Sequence, residues 1–313
     1  MYYPYFRGKQ YDLITIRDNA KLLSENNFIP IIEPVKEATN GLKRTLDSVI
    51  ENDGKVILIS NPENGELTNN NDPINKLLDD YKNDNIIIGI LLSEDRKKEY
   101  ISELINKFFE RKIAFIHSGY SDANDLLSMI DSIDEKNITH VFLDNLSGKV
   151  YRRKFREHGN RVLISDGFNK RTNRLHPDVE FFSDLHVIYD EESMNGFGDF
   201  LIVGDEFTEA GGPAYAIAIH LTFIDPSKDS EMHVYHFKSD RTDTPADPAG
   251  KFMEALNKLV DAVQKKDSKI LKTSAITEFL TLHEKKHFPG LGSVKKISMQ
   301  HHIETLASYL AKK

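Results

Sequence analysis

The sequence predicts an α/β fold: a TIM-barrel-like (β/α)8 arrangement with a late antiparallel hairpin and C-terminal helices. Short runs of β-branched and apolar residues recur at 28–35, 55–62, 85–92, 112–120, 139–145, 161–168 and 199–207. Near-continuous Val/Ile/Leu runs of this kind suit parallel strands covered on both faces. Helical periodicity separates the first five. Most runs stop at a polar or acidic residue, and α/β folds place their chemistry at the carboxyl ends of strands.

Between the first two runs, Leu42, Leu46, Val49 and Ile50 recur at helical spacing over 40–52. The next helix, 72–81, opens with Asp72-Pro73 and carries Ile74, Leu77 and Leu78 on one face. Over 93–111 the stripe is Tyr100, Ile101, Leu104, Ile105 and Phe108, and over 121–134 it is Leu126, Leu127, Ile130 and Ile133. Ser121 or Asp122 caps the last of these, and Asp125 adds negative charge near its start. Such a succession of βα units defines a parallel core.

After the sixth run the pattern changes. Residues 169–192 are polar and irregular, with 181–190 reading as strand or short helix. Residues 214–224 alternate strictly, with Tyr215, Ile217, Ile219, Leu221 and Phe223 on one face and His220 and Thr222 on the other. Residues 232–240 complete a hairpin that sets His236 opposite His220. Helices over 249–264, 274–287 and 295–311 finish the chain. The progression favours one barrel-like domain over 1–313, with 169–198 an irregular insertion and 249–313 helical. A doubly wound open sheet is the alternative, although no G-x-G-x-x-G follows the first strand. The N-terminal segment YYPYFRGKQYDL interleaves aromatics with Arg7, Lys9 and Gln10, a pattern that suits stacking on a base or holding a phosphate, but plugging the barrel bottom is the favoured expectation.

Composition excludes several chemistries. The chain has 313 residues, a net charge of −8 and no cysteine, so disulfides, thiolate nucleophiles and Cys-ligated metals are ruled out. The acidic balance argues against a whole-protein nucleic-acid footprint. No apolar run approaches the roughly 20 residues that span a bilayer, and the N-terminus lacks a signal-peptide core. A cytoplasmic protein with no membrane partner is expected.

If the strand-end rule holds, one mouth collects Glu33, Lys36, Asn61, Glu63, His117, Asp144, Asn145, Asp166, Asp205 and Glu206. Converging carboxylates with a histidine suit a divalent metal, Mg²⁺ or Mn²⁺, or acid–base work. Glu33, His117, Asp166 and His220 are the catalytic candidates, and Asp144 and Asp205 the metal ligands. Arg7, Lys9, Lys36, Asn61, Asp199 and His236 are candidates for ligand binding. Helix capping and loop solvation compete with these roles for the acids, and a satisfied core position competes for His220. His283-Glu-Lys-Lys-His287 imitates a zincin helix. Both intervening positions are lysine, however, and Pro289-Gly290 ends the helix at once, so a solvated helix end fits better. His301 and His302 are expected on the surface of the last helix. Lys295-Lys296 carries only a weak anion-binding signal.

The opening M-Y-Y-P-Y-F-R-G-K-Q-Y-D-L, with F-I-P-I-I-E-P-V-K and I-L-I-S-N-P, resembles a bacterial family related to the phage beta-protein group. So do G-F-G-D-F-L-I-V-G-D, A-I-A-I-H-L-T-F, H-F-K-S-D-R, A-G-K-F-M-E-A-L and G-L-G-S-V-K-K-I-S, which together cover essentially the whole chain. The resemblance implies a TIM-barrel-like protein, often encoded beside a small PD-(D/E)xK-nuclease-like partner in mobile or defence loci. It adds weight to Arg7, Lys9, Glu33, Lys36, Asp166, Asp199 and His220. Three functions are then expected. One is an accessory or effector protein of a prophage or anti-phage module, binding a phosphorylated, nucleotide-like or nucleic-acid ligand at the mouth and acting with a nuclease-like partner. The others are a metal-dependent phosphodiesterase-type hydrolase and a non-catalytic scaffold.

Overall fold

Tyr5–Phe6 (β1) is a barrel strand, not a plug. After α1 (Gln10–Asp18) and α2 (Ala20–Glu25), β2 (Ile31–Ile32) lies parallel to it. The βα alternation continues through α3 (Asn40–Glu51), β3 (Val56–Ile59), α4 (Asp72–Asp80), β4 (Ile86–Ser93) and α5 (Lys98–Lys107). Next come β5 (Ile113–Ser118), α6 (Ala123–Ile130), β6 (Ile138–Leu143), α7 (Lys149–Arg153) and β7 (Asn160–Ile164). Each strand pairs in parallel with the one before it. The chain then passes through β8 (Val179–Ser183) and α8 (Leu185–Ile188) and returns as β9 (Gly196–Gly198), parallel to β7. The computed structural model describes residues 1–68, 70–209, 212 and 214–312.

The first strand closes the ring. Tyr3 N donates to Phe197 O at 2.8 Å and Tyr5 N to Asp199 O at 2.9 Å. Eight mostly parallel strands thus form a nearly closed TIM-type barrel. Its interior is filled by alternate strand residues, among them Tyr5, Ile31, Ile57, Ile116, Val141 and Val162. Closure explains why the expected strand at 199–207 is instead the three residues Gly196–Gly198. A Cβ at Gly198 would collide with the Tyr3 carbonyl, so the closing strand is glycine-rich rather than β-branched.

Helices α3 and α4 occupy the expected stretches, and Asp122 caps α6 by accepting from Asp125 N at 3.0 Å. Sequence periodicity did not indicate α1, α2 or α7.

Where one domain over 1–313 is expected, the chain divides into two compact units. Met1–Asp166 and Ile188–Phe200 form the barrel unit, and Gly167–Val187 with Leu201–Lys313 form the second. The reason lies in 169–198, which is not simply irregular. There β8 pairs with β11 (Glu231–Lys238), which pairs with β10 (Ala218–Asp225), giving an antiparallel sheet in the order β10-β11-β8. Ile217, Ile219 and Leu221 build a separate core with α9 (Pro248–Gln264), α10 (Ser274–Glu284) and α11 (Leu291–Leu310).

The histidines of α11 overturn their expected exposure, since His301 and His302 are fully buried. His301 Nδ1 lies 2.8 Å from the Thr273 hydroxyl and its Nε2 2.9 Å from Thr222 O, while His302 Nδ1 meets the Thr222 hydroxyl at 2.9 Å. Each ring finds a polar partner, which makes burial tolerable. Helix α10 ends at Glu284 and Lys286 is left-handed (φ 48°), so His283 and His287 do not stack one turn apart. No helix among the described residues is long and apolar enough to cross a membrane.

Candidate metal centre

The barrel mouth gathers Glu33, Arg7 and Asn61, and each already has partners. Glu33 follows β2, is fully buried, and accepts from the Tyr5 hydroxyl at 2.9 Å, Asn64 Nδ2 at 2.7 Å and Glu63 N at 3.2 Å. It also pairs with the Arg7 guanidinium, which packs over the rings of Tyr5 and Phe200 at 5.1 and 5.4 Å. Asn61 clamps β4 through both Leu91 N and Leu91 O. Glu63 binds Ser93 and Arg96. This is a hydrogen-bonded polar plate across the mouth, in which Arg7 and Glu33 offset one another's charge.

The other candidates have surroundings of their own. Lys36 is exposed and pairs with Glu66 at 2.7 Å, and Lys9 stands at the N-cap position of α1, where its backbone N donates to Asp12 Oδ2 at 3.3 Å. Asp199 accepts from the Tyr2 hydroxyl at 2.8 Å. Asp144 pairs with Arg152 at 2.5 Å. Asp166 follows β7 at the last position before the second unit, to which Asp205 and Glu206 belong. Gly167 does permit close approach, since a Cβ there would press on Phe182 O.

His117 does not face the mouth. Ala114 and Ile116 point into the barrel, so His117 points outward, beneath Tyr151 of α7 and Phe155. Its Nδ1 meets the Tyr151 hydroxyl at 2.8 Å and its Nε2 meets His140 Nδ1 at 2.9 Å. Burial drives both imidazoles toward the neutral form. His117 falls well below the usual histidine range and His140 to about 3.

The second unit holds a different kind of cluster. Register places His220 of β10 opposite His236 of β11, and their Nδ1 atoms lie 2.7 Å apart. His176, just before β8, stacks on His236 with ring centroids 4.3 Å apart and lies 5.0 Å from His220. One ring nitrogen from each of the three lies within 4.8 Å of the others. Among the described residues this is the one group of three or more histidines or carboxylates placed to hold a metal ion. The carboxylates of Asp144 and Asp205 take no part in it.

Glu180 of β8 supports the cluster from the side. Its Oε1 is 2.9 Å from His236 Nε2 and 3.5 Å from His176 Nδ1. Arg171 and Asn169 bind its other oxygen at 2.8 and 3.2 Å. Burial alone would raise the Glu180 pKa, but Arg171, His236, Asn169 and His176 outweigh it and hold the carboxylate ionised. His176 and His236 are almost fully buried, His220 only partly, and Phe168 covers His220 edge-on at 5.0 Å. Burial lowers all three imidazoles, His236 to about 4, with His176 adding to the effect there. Glu180 Oε1, His236 Nε2 and His176 Nδ1 are near one another yet lack an aligned hydrogen bond. Buried polar atoms in native proteins seldom stay in that state.

Three neutral imidazoles beside an ionised carboxylate form a competent donor set for a divalent ion. Sequence reading singled out His220 and His236 but passed over His176 and Glu180. Their i,i+4 spacing in R-L-H-P-D-V-E was the available signal, hidden in a stretch read as irregular. Comparisons with protein-family models, with characterised proteins and with solved structures find no match to this chain.

Proposed function

We propose that the chain is a metal-dependent hydrolase of phosphodiesterase type, with its ion held by His176, His220 and His236. The observation that carries the reading is the convergence of the three ring nitrogens beside the Glu180 carboxylate. With Nδ1 of His176 and Nε2 of His236 turned to Glu180, Nε2 of His176 and Nδ1 of His236 are left for the ion, together with Nδ1 of His220. Carboxylates bonded to the outer nitrogens of metal-ligating histidines fix the tautomer and raise ligand basicity. An imidazole-rich set favours zinc or another first-row transition ion over Mg²⁺, which prefers oxygen ligands.

Three protein ligands leave a coordination position open, the hallmark of catalytic rather than structural sites. An ion there supplies Lewis acidity to a bound oxygen. On the strap before His176, Lys170 pairs with Glu206 and Arg171 with Glu180, and the exposed Arg174 adds a charge that suits a phosphate ester.

Metal analysis of the purified protein tests this. About one transition ion per chain is expected, with Co²⁺ giving visible d–d bands that His236→Ala and His220→Ala abolish. Hydrolysis of bis(p-nitrophenyl) phosphate should be lost with the ion and restored on its return. No retained ion and no Co²⁺ spectrum would sink the metal centre, whereas a bound ion without hydrolysis would retire the enzyme reading alone.

A further inference from the structure

A second site lies in the barrel unit, at the amino-terminal end of its strands. Residues 149–161 carry Lys149, Arg152, Arg153, Lys154, Arg156 and Arg161 against one carboxylate, Glu157, in a chain of net charge −8. Helix α7, the turn after it and the start of β7 fold this charge onto a cleft of about 280 Å³. Its walls include Arg153, Arg156, Arg161, Glu192 and Met194.

Part of the charge is balanced. Arg152 pairs with Asp144 at 2.5 Å and reaches Glu192 at 3.6 Å, and Lys149 binds Glu192 at 2.7 Å. Glu191 also lines the cleft. Among the described residues, no ion pair within 4.0 Å engages Arg153, Arg156 or Arg161. Arg161 Nε is buried without an acceptor. Burial and the neighbouring Arg156 both oppose the Arg161 charge, with Glu157 offsetting them in part. Like charges gathered in a concave surface repel unless an anion joins them. The guanidinium fork matches a phosphate with two parallel hydrogen bonds, which a lysine cannot do.

We infer that this cleft binds the phosphate groups of a nucleotide or a nucleic-acid strand through Arg153, Arg156 and Arg161. Its volume suits one or two phosphates, with the rest of the ligand lying outside. The site is independent of the metal centre, and its test does not involve catalysis.

Fluorescence polarisation with a labelled nucleoside diphosphate and a short labelled single-stranded oligonucleotide decides it. Binding should weaken as salt rises and be displaced by inorganic pyrophosphate. The double variant Arg153→Glu/Arg156→Glu alters exposed positions. It should bind at least about tenfold more weakly, the effect of losing charge-assisted contacts, with an unchanged melting temperature. Arg161→Gln should weaken binding independently. Binding of the nucleotide alone assigns a small-molecule ligand, and binding of the oligonucleotide alone assigns a strand. Salt-dependent binding of neither probe, or full affinity in the double variant, overturns the site.

Discussion

The Nδ1 atoms of His220 and His236 face each other at 2.7 Å across neighbouring antiparallel strands. Both rings are neutral, so one ring carries the bridging proton and the other accepts it. An arriving cation takes the place of that proton, which moves to the other nitrogen of its ring, so that both rings meet the ion as neutral imidazoles.

Glu180→Gln keeps the size of the side chain and removes the charge that orients His176 and His236. The variant should bind its ion about 10- to 100-fold more weakly, as outer-shell changes do at other metal sites. Competition with a chromogenic chelator measures this. Unchanged affinity would show that Glu180 does not orient the ligands.

Breaking the Arg7–Glu33 pair should destabilise the barrel. Glu33 is fully buried and accepts from Tyr5, Asn64 and Glu63 N besides pairing with Arg7, so Glu33→Ala breaks a buried pair and removes the shared acceptor of that network, at a cost of about 3–5 kcal/mol. Urea denaturation followed by circular dichroism reads the loss. A cost below about 1 kcal/mol would mean that water replaces the carboxylate.

Gly198→Ala tests barrel closure. The added methyl meets the Tyr3 carbonyl, so β1 and β9 must part or shift. A loss of at least about 2 kcal/mol is expected, in line with overpacking at a close backbone contact. A wild-type melting curve would show that the closing strand yields freely.

Acid should weaken the barrel unit before its carboxylates titrate. His117 and His140 are neutral when folded, with His140 held at about 3 against 6.5 in the unfolded chain. Below about pH 6.5 the unfolded state takes up protons that the folded state refuses. Stability is therefore complete above that pH and drains away as pH falls toward 3. Denaturation midpoints between pH 7.5 and 4 should fall steadily, and a flat profile would contradict the assignment. Tyr151→Phe removes the hydroxyl beside His117 Nδ1 and should cost about 1–3 kcal/mol at neutral pH.

Local pattern was enough to make the barrel class legible. Runs such as 85–92 and 112–120 are apolar on both faces because helices cover one side and the barrel core fills the other, and the helices at 40–52 and 72–81 announce themselves by their stripes. The β10–β11 hairpin, and with it the His220–His236 pairing, could be read from alternation and a short polar turn. Local pattern did not show which way His117 points, because a strand buried on both sides has no polar face to mark the outside. Nor did it show that Tyr5–Phe6 and Gly196–Gly198 are strands, since closure selects for fit against Tyr3 rather than for β propensity. His176 and Glu180 join His220 and His236 only because β8 adds to an antiparallel sheet formed some fifty residues later. The strand-end carboxylates follow the same logic, for Glu33, Asp144 and Asp199 each bind a nearby Arg or Tyr instead of converging on one ion. Sequence determined the elements that carry an apolar run or stripe, because periodicity is a local property. Tertiary structure alone decided the site, because coordination depends on which side chains distant segments bring within a few ångströms of one another.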